Sequence, residues 1–117
     1  LYGWMLKIEK DRRNGYLHVP HSSNKAYYLT CFVDYLGNET DSAACVVVRC
    51  GRPYTIYFNG KETDGRRVTL KMGLNRLVIY AEASNKELDF MVMVQEPDGQ
   101  PKKNVLYHLT TDEVDPK

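Results

Sequence analysis

Between Trp4 and Val94 nearly every apolar run is short, rich in Val, Ile, Tyr, Phe and Thr, and closed by Gly, Pro, Asn or Asp. That spacing leaves no room for a helix of ordinary length and is the grammar of strands joined by tight turns. Strands are predicted over residues 4–9, 16–19, 26–35, 44–50, 54–58, 68–71, 76–81 and 88–95. Between them stand Asn14-Gly15, Asn59-Gly60, Asp64-Gly65, Asp98-Gly99 and the single glycines Gly37, Gly51 and Gly73, the residue types that turns require. In "YTIYFNGKE" the inward set Tyr54, Ile56 and Phe58 alternates with Thr55 and Tyr57, and Asn59-Gly60 suits the two positive φ angles of a type I′ turn. Only "AEASNKELDF" has helical character, and for no more than one turn. "ACVVVR" and "FMVMV" are apolar on both faces, which marks them as central strands.

Eight such strands predict an all-β fold, a two-sheet antiparallel β-sandwich of jelly-roll type. Its expected core includes Leu29, Val33, Val46, Val48, Ile56, Phe58, Leu70, Leu77, Ile79, Phe90 and Val92. A chain of 117 residues supports one core, so residues 1–117 are read as a single domain. The start at Leu1, without an initiator Met, and the end at "TTDEVDPK" read as a piece of a larger multidomain protein, with "EVDPK" a polar, frayed end. Trp4, followed by Met5, Leu6 and Ile8, reads as a core anchor.

Sixteen basic residues against 15 acidic ones leave a net charge of +1, and the basic pairs Arg12-Arg13, Arg66-Arg67 and Lys102-Lys103 are too scattered to form the stripe a nucleic-acid binder presents. Nucleic acid is not an expected partner. Neither is a membrane, since no apolar run reaches 18 residues and "LYGWMLKIEK" lacks the pattern of a signal peptide.

Hydrolytic chemistry has little to draw on. The histidines are His18, His21 and His108, no Ser stands in a GxSxG elbow, and His18 and His21 flank Pro20 on an extended chain that points them to different faces. The acids fall mostly in turns of a small sandwich that offers no deep cleft for a carboxylate pair. No catalytic site is expected in this segment, and no cofactor. If residues 26–35 and 44–50 form a hairpin about "LGNETDS", Cys31 and Cys45 share one face and Cys50 takes the other. One bridge is then conceivable, but three cysteines without a CxxC pair favour reduced, structural thiols.

Strand parity singles out one end of the sandwich. With strands crossing its full height, the loop after Tyr35 and the Asn59-Gly60 tip emerge together, bringing Tyr35, Asn38 and Asp41 near Lys61 and Asp64, with Glu39, Glu62 and Arg66 beside them. A ring with polar neighbours is the kind of mixture that binds a sugar, Tyr35 serving as platform and the other four as hydrogen-bonding partners. The plain alternative is that these turns are polar because they are wet.

"ACVVVRCGRPYTIYFNGKETDGRRVTLKMGLNRLVIYAEA" resembles the galactose-binding-like jelly-roll domains that accompany glycoside hydrolases and related polysaccharide enzymes. The matching features are "YxxYxNGK", then "VxLKxGxNRLVIY" with Val68, Leu70, Gly73, Asn75 and Leu77, while "FMVMVQEPDGQP" is similar to the closing strand and turn and "KAYYLTCFVDY" to the opening aromatic strand. The resemblance covers residues 26–101 and its matched positions are scaffold ones. It implies a non-catalytic, carbohydrate-binding-type domain of a larger secreted or periplasmic carbohydrate-active enzyme, whose partners are a polysaccharide or oligosaccharide and the catalytic domain of the same chain. It equally implies an alternative, the accessory sandwich that packs on a catalytic domain, as in α-L-rhamnosidases, and binds no sugar. Some members hold a structural calcium, but no defined acidic loop here matches one.

Overall fold

In the computed structural model, which describes residues 16–19, 24–85 and 88–114, every regular element is a β-strand. They are β1 (Tyr16–Val19), β2 (Ala26–Tyr35), β3 (Ser42–Cys50), β4 (Tyr54–Phe58), β5 (Lys61–Thr63), β6 (Val68–Leu70), β7 (Gly73–Ala81), β8 (Leu88–Gln95) and β9 (Val105–Val114). Two antiparallel sheets result, one ordered β1-β8-β3-β6 and the other β5-β4-β7-β2-β9. The predicted all-β, two-sheet antiparallel sandwich is the observed architecture. The doubly apolar strands β3 and β8 lie at the centre of the four-stranded sheet, as their composition requires.

Inward alternation builds the core. Leu29, Cys31 and Val33 of β2, Leu77 and Ile79 of β7 and Tyr107 and Leu109 of β9 face Ala44 and Val46 of β3 and Leu88, Phe90, Val92 and Val94 of β8. Of the expected core residues all are buried except Val48, which packs half-buried against the cluster. Tyr54, expected inward, is 40% exposed at the start of β4, where its hydroxyl donates to the Val48 carbonyl at 3.4 Å.

Two expectations need correction. β2 and β3 are not a hairpin: they lie in different sheets, because β2 is paired on one side by β7 and on the other by β9. The Leu36 to Asp41 stretch bridges the sheets instead, and the Leu36 amide donates to the Asn104 carbonyl at 2.7 Å. Consequently Cys31 is buried in the core, Cys45 points out of β3, and it is Cys50 that packs toward the core; all three are free thiols. Second, the predicted strands stop at residue 95, whereas β9 runs from Val105 to Val114 along the whole of β2, so Glu113 and Val114 of the expected frayed end lie in a strand. The short strand Lys61 to Thr63 returns along β4 and completes the hairpin that the Asn59-Gly60 turn calls for. Predicted strand 4–9, the Asn14-Gly15 turn, Trp4 and His21 lie outside the described residues.

The Asn59-Gly60 turn has the expected backbone, with φ of 48° and 85°. It closes β4 onto β5, the one connection between described strands that stays within a sheet.

Candidate functional site

Around Asn75 the two ends of the "VTLKMGLN" stretch are tied together. Asn75 is fully buried on β7. Its amide nitrogen reaches the carbonyls of Lys71 at 2.8 Å, Gly73 at 3.2 Å and Val33 at 3.3 Å. Its oxygen accepts from the Lys71 amide at 2.9 Å and from Asn59 Nδ2 at 3.2 Å. Asn59 is held in turn by Arg76, whose amide donates to Asn59 Oδ1 at 2.8 Å and whose carbonyl accepts from the Asn59 amide at 2.7 Å. One buried carboxamide thus fixes the β6–β7 turn, the hairpin tip and β2 relative to one another, satisfying backbone groups that a turn leaves open.

The crossing from β5 to β6 is fixed by a second set of bonds. Asp64 Oδ1 accepts from the Arg66 amide at 2.9 Å and Thr63 Oγ1 from the Gly65 amide at 3.1 Å, so two side chains shape the turn. The Gly65 carbonyl accepts from the Val46 amide at 2.7 Å. Gly65 has a φ of 82°, and a Cβ there would stand 2.4 Å from the Val46 carbonyl oxygen. Only glycine meets both demands.

Between these fixed points β5 and β6, the outer strands of their respective sheets, face one another across a groove of about 550 Å³. Phe58 and Val68, both buried, form its floor; Asn59, Lys61, Glu62, Thr63, Arg67, Thr69 and Lys71 line it. Three cations against one acid make it electropositive. Hydroxyl and carboxamide groups, cationic side chains and the edges of two strands together offer many donors around an apolar base, in the size range of ligand pockets.

The expected sugar site is only partly assembled. β2 and β4 run the same way, both antiparallel to β7, so the loop after Tyr35 and the Asn59-Gly60 tip do leave at one end. However, β7 and its Gly73 turn stand between them, and Gly73 is the register partner of Tyr35. Tyr35 is 4% exposed and does not offer its ring as a platform. Gly37 lies so close over that ring that an added Cβ would stand 2.3 Å from the hydroxyl. On the ring's other contacts, the hydroxyl donates to Glu39 Oε1 at 3.4 Å and the Lys102 ammonium lies 5.4 Å from the ring centroid. Lys102, its side chain 5% exposed, also donates to Ser42 Oγ at 2.5 Å and Glu96 Oε1 at 3.0 Å. This cluster ties the β8–β9 connection to the β2–β3 crossing and is structural.

Asn38 and Asp41 are exposed on that crossing. Asp64 shapes the β5–β6 turn and lies 3.8 Å from Arg66 Nε, both side chains being exposed. Lys61 alone of the five lines the groove. Sequence reading overlooked Arg67, Thr69 and Lys71 because the β5–β6 approach depends on which sheet each strand joins, and that is not written in strand parity.

A second cavity of about 390 Å³ is lined by Arg49, Cys50, Asp89, Phe90 and Met91 on the four-stranded sheet. Burial raises the Cys50 pKa there, against a smaller lowering by Arg52, so its thiol is a poor nucleophile. Among the described residues no three His, Cys, Asp or Glu side chains are grouped to hold a metal ion. No protein-family model matches the chain, and neither the curated proteins nor the solved structures contain a significant match to it.

Proposed function

We propose that the domain is a non-catalytic carbohydrate-binding module of a larger secreted or periplasmic carbohydrate-active enzyme, with the β5–β6 groove as its ligand site. The observation that carries this reading is the groove itself: Asn59, Lys61, Glu62, Thr63, Arg67, Thr69 and Lys71 ranged over a base of Phe58 and Val68. Vicinal hydroxyls need paired donors and acceptors, and a sugar ring needs an apolar surface to lie against. The resemblance of residues 26–101 to galactose-binding-like accessory domains points the same way. Affinity electrophoresis of the chain through gels containing several polysaccharides tests it. Retardation that is lost in Thr69→Ala with Lys61→Ala, at unchanged melting temperature, is the expected result; free migration through every polysaccharide would sink the reading.

A second reading rests on the outer face of the five-stranded sheet. Phe32 is 38% and Leu74 64% exposed there, and Tyr28, Tyr57, Val78, Tyr80 and Leu106 are half-buried around them, with the Tyr28 and Tyr80 rings 5.1 Å apart. Such a face suits packing against a neighbouring domain, the role of a spacer. Free migration in the gels together with a concentration-dependent association lost in Phe32→Ser with Leu74→Ser would favour it.

A further inference from the structure

We infer that the groove between β5 and β6 takes an acidic glycan, one bearing carboxylate or sulfate groups, rather than a neutral one; this rests on the carbohydrate reading above. The chain as a whole is nearly neutral at +1, so an excess of cations in one place is local. Lys61 of β5 and the pair Arg67 and Lys71, which flank β6, meet at one groove, with Glu62 the single acid among its lining residues. All three are exposed, and none has an ion-pair partner among the described residues. Their neighbours differ: Arg66 stands beside Asp64, and Lys102 is bound to Glu96.

The backbones that carry these cations are fixed. Asn75 holds both the N–H and the C=O of Lys71. Lys61 follows the Asn59-Gly60 turn, whose Asn59 is tied to Arg76 and Asn75. Arg67 follows the Gly65 crossing, pinned to Val46. Only side-chain freedom is lost when an anion binds, so little ordering cost opposes binding. A guanidinium grips a carboxylate or sulfate with two parallel hydrogen bonds, and two ammonium groups add point charges beside it. A neutral glycan in the same place would strip water from three cations and return no charge to them. Thr63, Thr69 and Asn59 remain for the hydroxyls. Nucleic acid fits less well, because the groove's only ring, Phe58, is buried in its base and no base can stack on it.

The test is affinity electrophoresis and calorimetric titration of the 117-residue chain at low salt against polygalacturonate, a sulfated galactan, a neutral galactan and single-stranded DNA. Retention by polygalacturonate, by the sulfated galactan or by both supports the inference, and the arm that retains identifies carboxylate or sulfate. Each of Lys61→Gln, Arg67→Gln and Lys71→Gln should weaken binding about two- to fivefold, the size expected of an exposed ion pair. Glu62→Gln should strengthen it by a similar factor, and Lys103→Gln, outside the groove, should leave it unchanged. Equal affinity for neutral and acidic galactans, insensitive to these changes, overturns the acidic-glycan inference while leaving the carbohydrate reading intact. Binding to no glycan overturns both. DNA bound more tightly than either acidic glycan replaces the inference with a nucleic-acid one. Acidic-glycan binding that survives the triple Gln variant places the site elsewhere and overturns the assignment to this groove.

Discussion

Replacing Asn75 tests whether one buried carboxamide holds the upper end of the sandwich together. Its two N–H groups are shared among three carbonyls, and its oxygen accepts from the Lys71 amide and from Asn59. A hydrogen bond in such a setting contributes about 1 kcal/mol net, and a buried partner left alone costs more, so Asn75→Ala should lose roughly 3–5 kcal/mol. For a chain of this size that is a drop of roughly 12–20 °C in melting temperature. Asn75→Asp has the same shape but turns a donor into an acceptor facing those three carbonyls. Its anion is disfavoured in the fold, so the folded pKa lies above the unfolded value of about 3.9, and the penalty is absent below that pH and grows as pH rises through it. Thermal unfolding followed by circular dichroism at pH 7 and pH 4 separates the cases. The Asp variant should recover most of its deficit at pH 4, whereas the Ala variant should show similar deficits at both. A loss below about 1 kcal/mol in Asn75→Ala, within the worth of a single hydrogen bond, would refute the assignment of Asn75 as a hub. So would an Asp deficit independent of pH.

Gly60→Ala and Gly65→Ala form a matched pair, since the two glycines have φ of 85° and 82° but only Gly65 has a carbonyl oxygen where the Cβ would go. Gly60→Ala should cost about 1–2 kcal/mol from the backbone alone, and chemical denaturation should show Gly65→Ala costing at least about 1 kcal/mol more through the displaced Val46 bond. Ile56→Ala should lose roughly 2–5 kcal/mol in the same assay, and its outward neighbour Thr55→Ala under about 1 kcal/mol. Burial pushes the Cys31 thiol up to about 12 from 9.0, against a smaller lowering by a backbone hydrogen bond at His108. With the folded pKa raised, the thiol's contribution is intact below pH 9.0 and is lost as pH climbs toward 12, at up to about 1.4 kcal/mol per pH unit. Urea unfolding between pH 8 and 10.5 should therefore show a steeper decline for the unmodified chain than for Cys31→Ala, and equal slopes would refute it.

Strand content was legible because β-branched and aromatic runs stop at turn residues. The 26–35 and 54–58 strands stand where they were predicted, and the I′ turn follows from Asn59-Gly60 alone. β9 was missed because the inward set Val105, Tyr107 and Leu109 is followed by Thr-Thr-Asp-Glu, which reads as a solvated tail; as the outermost strand of its sheet it tolerates that polarity. The β2–β3 hairpin failed for a different reason. Alternation tells which face of a strand is buried but not which strand lies beside it, and once β7 and β9 flank β2 no edge is left for β3. Tyr35 was misplaced because a tyrosine closing a strand serves equally as a wet platform or as a lid, and the close Gly37 and the ammonium of Lys102 make it a lid here.

The pairing of β9 with β2 has a consequence during synthesis. β2 waits for β9 before its outer edge is covered, so the emerging chain carries an open strand edge while residues 36–104 are made. At elongation rates of roughly 5–20 residues per second, several seconds pass in that state. Such an edge can recruit a strand from a neighbouring nascent chain in place of its own. A chain truncated before Val105 should accumulate as inclusions on expression, even though the β4–β5 hairpin and much of the groove-forming sequence remain within it.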